Sequence, residues 1–174
     1  MKIVDTEKWA PVVGRFVLGF GSLEHQTYIL LKRLVEPVTL KYTSNLPFKT
    51  RVKFLREIIL SDQTNNKYSQ RYIKCIDSII ELIDMRNLIA HNPLFLVYYE
   101  DPEDSIYDEA IGSYKKINEL ILYEDLVKAV EKIENIENEF IKISAEITLD
   151  KMNYVINYDE NKALLDPENL KSTN

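Results

Sequence analysis

Residues 83–93 read IDMRNLIAHNP, and they set Arg86, Asn87 and His91 at the end of a long apolar run. Arginine stays charged and binds phosphate oxygens in a fork. Histidine is the side chain that exchanges a proton near neutral pH, and proton transfer from a positioned group is worth roughly 10²–10⁴-fold in rate. A cation for charge gathering on a phosphate and an imidazole for the proton suit cleavage of a phosphodiester. Asn87 and His91 are four apart and share one side of a helix. Arg86 and His91 are five apart, about 140° around it. One chain therefore splays the cation from the imidazole, whereas two helices related by a dyad would bring two of each around one cleft. Taken singly, each residue also has an ordinary structural use. Arg86 can reach out to solvent, Asn87 can bond a neighbouring backbone, and His91 can cap a helix end whose dipole suits an imidazolium.

The helix that must position them runs over about residues 67–91 and stops before Pro93, because a residue preceding proline is pushed out of helical geometry. One stripe follows Ile73, Ile76, Ile80, Ile83, Asn87 and Ala90; a neighbouring one follows Cys75, Ile79, Leu82, Arg86 and Ile89. Both stripes turn polar at the same turn, so Arg86 and Asn87 are aimed along faces that are apolar one turn earlier, where an unpaired guanidinium or amide is costly to desolvate.

With four glycines and six prolines, and apolar residues spaced by three and four, the chain reads as all-α. The expected fold is an up-and-down bundle of four to five helices with a short β-hairpin inserted after the third. The first helix spans about residues 12–35 and is closed by Pro37; the second spans about 48–60; the last spans about 124–147. LFLVYY (94–99) has strand composition, the acidic residues 100–113 interrupt it, and YKKINELIL (114–122) is its expected hairpin partner. Residues 1–150 form one helical domain, and residues 151–174 a mobile C-terminal extension. Gly14, Gly19 and Gly21 do not make a phosphate loop, since Phe20 stands where a lysine is needed; small residues on a helix face serve close packing of a neighbour.

The net charge of −6 is unevenly spread: residues 1–92 hold 14 Lys/Arg against 9 Asp/Glu, and residues 93–174 hold 8 against 19. The basic half removes the objection to a polyanionic ligand, although two solvated faces would give the same counts. No metal-ligand or calcium-loop spacing occurs, and no cofactor or serine-hydrolase motif. Cys75 is the only cysteine and reads as a packed, inert thiol; His25 takes a surface or packing role. With no signal peptide and no membrane-length apolar run, the expected location is the cytoplasm.

RNLIAH resembles the signature of HEPN domains (higher eukaryotes and prokaryotes nucleotide-binding), an Arg and a His separated by four to six residues, commonly with a polar residue after the Arg. FGSLEHQTYILL in the first helix, LPFKTRVKFL before the second and IDMRNLIAHN closing the third extend the resemblance to a prokaryotic branch over residues 12–147. It implies an all-α domain that dimerises through its motif helices and often acts as a metal-independent endoribonuclease in toxin–antitoxin or phage-defence systems. On matching positions Arg86 and His91 would be the catalytic pair and Asn87 the supporting polar residue. The implied partners are an RNA substrate, a second copy through the third helix, and an antitoxin or defence-complex protein. The alternative is a non-catalytic nucleotide- or RNA-binding or partner-docking module. The branch paired with minimal nucleotidyltransferases carries a modified Tyr two residues beyond the His; this chain has Pro93 there, which argues against that regulation.

Overall fold

A cap on a helix that sequence spacing starts too late opens the fold. Asp5 accepts from the backbone N–H groups of Glu7 and Lys8 at 3.1 Å each, and α1 runs from there over Thr6–Leu34, straight through Pro11. The proline is tolerated because Trp9 anchors the first turns. Its ring is buried, its Nε1 donates to Glu109 at 2.8 Å, and Tyr123 meets it edge-on at 5.3 Å. In the computed structural model, residues 4–61, 67–98, 107–113 and 116–164 are described. They form five helices and one sheet: α1, α2 (Pro37–Thr43), α3 (Phe48–Ser61), α4 (Ser69–His91), β1 (Leu94–Tyr98), β2 (Tyr107–Ser113), β3 (Lys116–Leu122) and α5 (Tyr123–Leu164). The protein is thus mostly helical, with a small antiparallel sheet after the motif helix. The chain divides into two compact units, the division falling inside α5 after Glu139.

In the first unit the apolar faces expected from the spacing are the buried ones. Phe16, Phe20, Leu23 and Leu31 of α1, Val52 and Leu55 of α3, and Ile76 and Ile79 of α4 are almost wholly removed from solvent. Each such side chain contributes roughly 1.5–3 kcal/mol of transfer free energy. The exposed ion pairs linking the helices, such as Lys49–Asp84 at 3.0 Å, contribute only about 0–1 kcal/mol each. Apolar burial therefore holds the helices, and the charges adjust their edges. The seam between α1 and α5 is tight enough to dictate a residue. A Cβ on Gly19 would stand 2.7 Å from Ile133 Cγ2, so only glycine fits without a shift.

The sheet departs from the expected hairpin. It is a meander in the order β1-β2-β3, with Leu94 opposite Ile111, Tyr98 opposite Tyr107 and Ile111 opposite Ile121. The strand from residue 94 pairs with residues 107–113, within the stretch read as an interruption, and not with 116–122. Ala110, Ile111 and Gly112 are buried, and the acidic Glu109 that disguises the strand is used by Trp9 and by the backbone N–H of Asp5. The acidic residues 100–106 and the polar break at 62–66 lie outside the described residues.

Two helices also differ from expectation. Pro37 stops α1 and then serves as the first residue of α2, a position where its missing N–H costs nothing. In the last helix Leu126, Val130, Ile133, Ile136, Phe140 and Ile143 are buried as their near-heptad spacing requires. The helical backbone then continues to Leu164 in the second unit, past the expected stop at Ile147 and into the stretch read as a mobile extension. No glycine or proline occurs between Tyr123 and Leu164, so nothing in the sequence breaks it. Residues 165–174 lie outside the described residues. No described helix is long and apolar enough to cross a membrane.

Candidate functional site

The candidate site lies at the C-terminal end of α4, where the helix leaves the core. Tyr72, Ile73, Cys75, Ile76, Ile79, Leu82 and Ile83 of this helix are buried. Beyond Ile83 none is: Met85, Leu88 and Ile89 are half-buried, and Asp84, Arg86, Asn87, Ala90 and His91 are exposed. This corrects one expectation. Arg86 and Asn87 continue apolar stripes in sequence, but the core ends before they are reached, so within one chain neither group is desolvated.

The end of the helix is closed by the residues after the motif. Asn92 is extended (φ −127°, ψ 152°), as a residue before proline should be, and both its backbone N–H and its Nδ2 donate to the Leu88 carbonyl at 3.0 Å. The Pro93 carbonyl then accepts from the Gly112 N–H at 3.4 Å, which ties the helix end to β2. At Gly112 the strand bulges, and a Cβ there would meet Leu120 Cδ2 at 2.7 Å and the Glu119 carbonyl at 2.9 Å. A glycine at this point lets β3 close over the helix end.

What this builds is an open cleft of about 650 Å³ between the last turns of α4 and the β2–β3 bulge. Asn87 and His91 both line it, together with Asp84, Ser113, Glu119 and Leu120. Arg86 does not line it. Its Nη1 donates to the Asn87 side-chain oxygen at 3.3 Å, so the guanidinium is linked to the cleft through Asn87. The sequence motif is therefore divided: Asn87 and His91 come together as their spacing of four requires, and Arg86 stands to one side as its spacing of five requires. His25 is exposed on α1.

Two carboxylates that sequence reading passed over share the cleft. Asp84 precedes Asn87 by three residues, a helical spacing that was legible; Lys49 at the start of α3 holds it at 3.0 Å. Glu119 arrives from β3, and only the register of the meander reveals it. Among the described residues no group of three or more His, Cys, Asp or Glu is placed to hold a metal ion. What the cleft offers chemically is one imidazole, the amides of Asn87 and Asn92, the Ser113 hydroxyl, two carboxylates and a guanidinium at its rim. No protein-family model, no curated protein and no solved structure matches the chain.

Proposed function

We propose that the protein is a metal-independent endoribonuclease of the HEPN type, acting in toxin–antitoxin or phage defence, with its site completed where two α4 ends meet. The observation that carries this reading is that Asn87 and His91 line one accessible cleft while Arg86, bonded to Asn87, stands at its edge. RNA brings its own nucleophile. The 2′-hydroxyl oxygen attacks the adjacent phosphorus, the P–O5′ bond breaks, and the products are a 2′,3′-cyclic phosphate and a 5′-hydroxyl. One His91 takes the 2′-hydroxyl proton and the partner subunit's His91 returns a proton to the leaving oxygen. Arg86 binds the non-bridging oxygens where negative charge gathers, a role for which its fork and permanent charge suit it. The two carboxylates of the cleft favour a second reading, in which the same face is a non-catalytic module that docks a cationic protein segment, such as part of an antitoxin or defence complex.

Purified wild type and His91→Ala, incubated with total cellular RNA in EDTA, separate the two. Cleavage by wild type alone, leaving cyclic phosphates, supports the ribonuclease. Intact RNA after incubation with a folded wild type discards it in favour of docking.

A further inference from the structure

The outer face of α1 carries a pattern that the core does not use. Pro11, Gly14, Leu18, Gly21 and His25 follow one another in alternating steps of three and four, the spacing that keeps one helix face toward another helix. Leu18 is 77% exposed and its neighbour Val17 50% exposed. Gly19 faces inward against Ile133, but a Cβ built on Gly14 or Gly21 would meet nothing within 4 Å. Each of these two glycines costs roughly 0.8–1 kcal/mol of helix stability relative to alanine, and nothing among the described residues occupies the space they leave. They flank Leu18 on the same face and leave the helix backbone open to close approach by a neighbouring helix.

Charge and symmetry indicate what covers this face. The first turn of α1 is acidic at Glu7; the last is basic at Lys32 and Arg33, which are exposed and make no ion pair among the described residues. The helix spans Thr6–Leu34, so its midpoint falls at residue 20, between Leu18 and Gly21. An antiparallel copy crossing just before that midpoint, between Gly19 and Phe20, sets Leu18 over the partner's Gly21 and lays the Glu7 end of each helix against the Lys32 end of the other. We propose that this face is the seam of an antiparallel homodimer.

A strip about 10 Å wide along a 29-residue helix of about 44 Å covers roughly 400 Å² per partner, half of a standard interface, so assembly should depend on concentration. The seam is independent of the α4 contact proposed for the ribonuclease. A chain using both dyads assembles beyond a dimer, and loss of the α1 seam then lowers its mass to that of the dimer held by α4.

Sedimentation of the full chain from about 5 to 500 μM, a range bracketing the weak association expected of so small an interface, tests the seam against Leu18→Glu and Gly21→Lys. Both positions face open solvent, so circular dichroism should show folded variants, and Gly14→Lys replaces either one that is not. The expected result is a wild-type mass of at least two chains at high concentration, lowered in each variant to one chain, or to two where the α4 contact also forms. A wild type that stays at one chain mass throughout, or folded variants that keep the wild-type mass, overturns the proposal.

Discussion

Arg86 and Asn87 are adjacent on the exposed end of α4, and the guanidinium donates to the amide oxygen at 3.3 Å. Only the amide of this pair lines the cleft, so Asn87 connects the cation to the space that His91 also borders. A neutral acceptor bonded to a charged donor in solvent is worth at most about 1–1.5 kcal/mol. On the ribonuclease reading, Asn87→Ala should lower kcat/KM by roughly three- to tenfold. Arg86→Ala and His91→Ala, which remove a charge-stabilising group and a proton carrier, should each cost about 10²-fold or more. Steady-state cleavage of a fluorogenic RNA measures all three. An Asn87→Ala chain as inactive as His91→Ala would show that the amide touches substrate and does more than orient Arg86.

Among the described residues of the first unit the most deeply buried charge is Arg51, 8% exposed, and its environment is asymmetric. Its Nη2 donates to Glu24 at 2.7 Å and its Nη1 to the Ser44 carbonyl at 3.3 Å; Nε has no partner, and the Phe48 ring lies 5.4 Å away. Glu24 is 40% exposed at its side chain. Removing Arg51 leaves a carboxylate that water can reach, whereas removing Glu24 leaves a buried guanidinium with one carbonyl. Glu24→Ala should therefore cost more than Arg51→Met, about 3 kcal/mol against 1–2 kcal/mol. Urea midpoints at constant m-value give the order, and the reverse order would mean that the Glu24 pairing contributes little.

The three α1 glycines separate packing from propensity. At Gly19 a methyl group must displace Ile133, so Gly19→Ala should destabilise by about 1–3 kcal/mol. At Gly14 the same change meets open space and should stabilise the isolated chain by up to about 1 kcal/mol. Thermal unfolding at dilute concentration, where no association contributes, reads both. Equal effects of the two substitutions would contradict the close approach of α1 to Ile133.

The helices were legible in the sequence because burial follows the spacing of Ile and Leu along them, as at Ile76, Ile79, Ile133 and Ile143. So was the pairing of Asn87 with His91, which needs only the helical repeat. The parts that escaped depend on contacts between distant segments. Trp9 extends α1 past Pro11 through a bond to Glu109, one hundred residues away. The same Glu109, read as loop, belongs to a strand whose register carries Glu119 into the cleft. The surroundings of Arg86 also escaped, because periodicity gives a side chain's direction and not where the core ends. Ile83 is buried and Arg86 is exposed, and one turn of helix separates them.

Cys75, buried on α4, gives a prediction in pH. Burial, reinforced by Glu139 and partly offset by Arg71, pushes its thiol up to about 11 from the ordinary 9.0. Between those values the unfolded chain loses the proton and the folded chain keeps it. The unfolded state then binds fewer protons, so stability falls as pH rises through 9 to 11 and is fully present below that window. At about 1.4 kcal/mol per unit, the loss attributable to this thiol reaches roughly 2 kcal/mol by pH 11. Lysines and tyrosines titrate in the same range, so the quantity to measure is the difference between wild type and Cys75→Ala in urea midpoint at pH 8, 9, 10 and 10.5. Wild type should lose its advantage over the variant steadily above pH 9. Parallel curves would show that the thiol ionises as readily in the folded chain as in the unfolded one, and alkylation by iodoacetamide, slow at pH 8 for a buried protonated thiol, would then be fast.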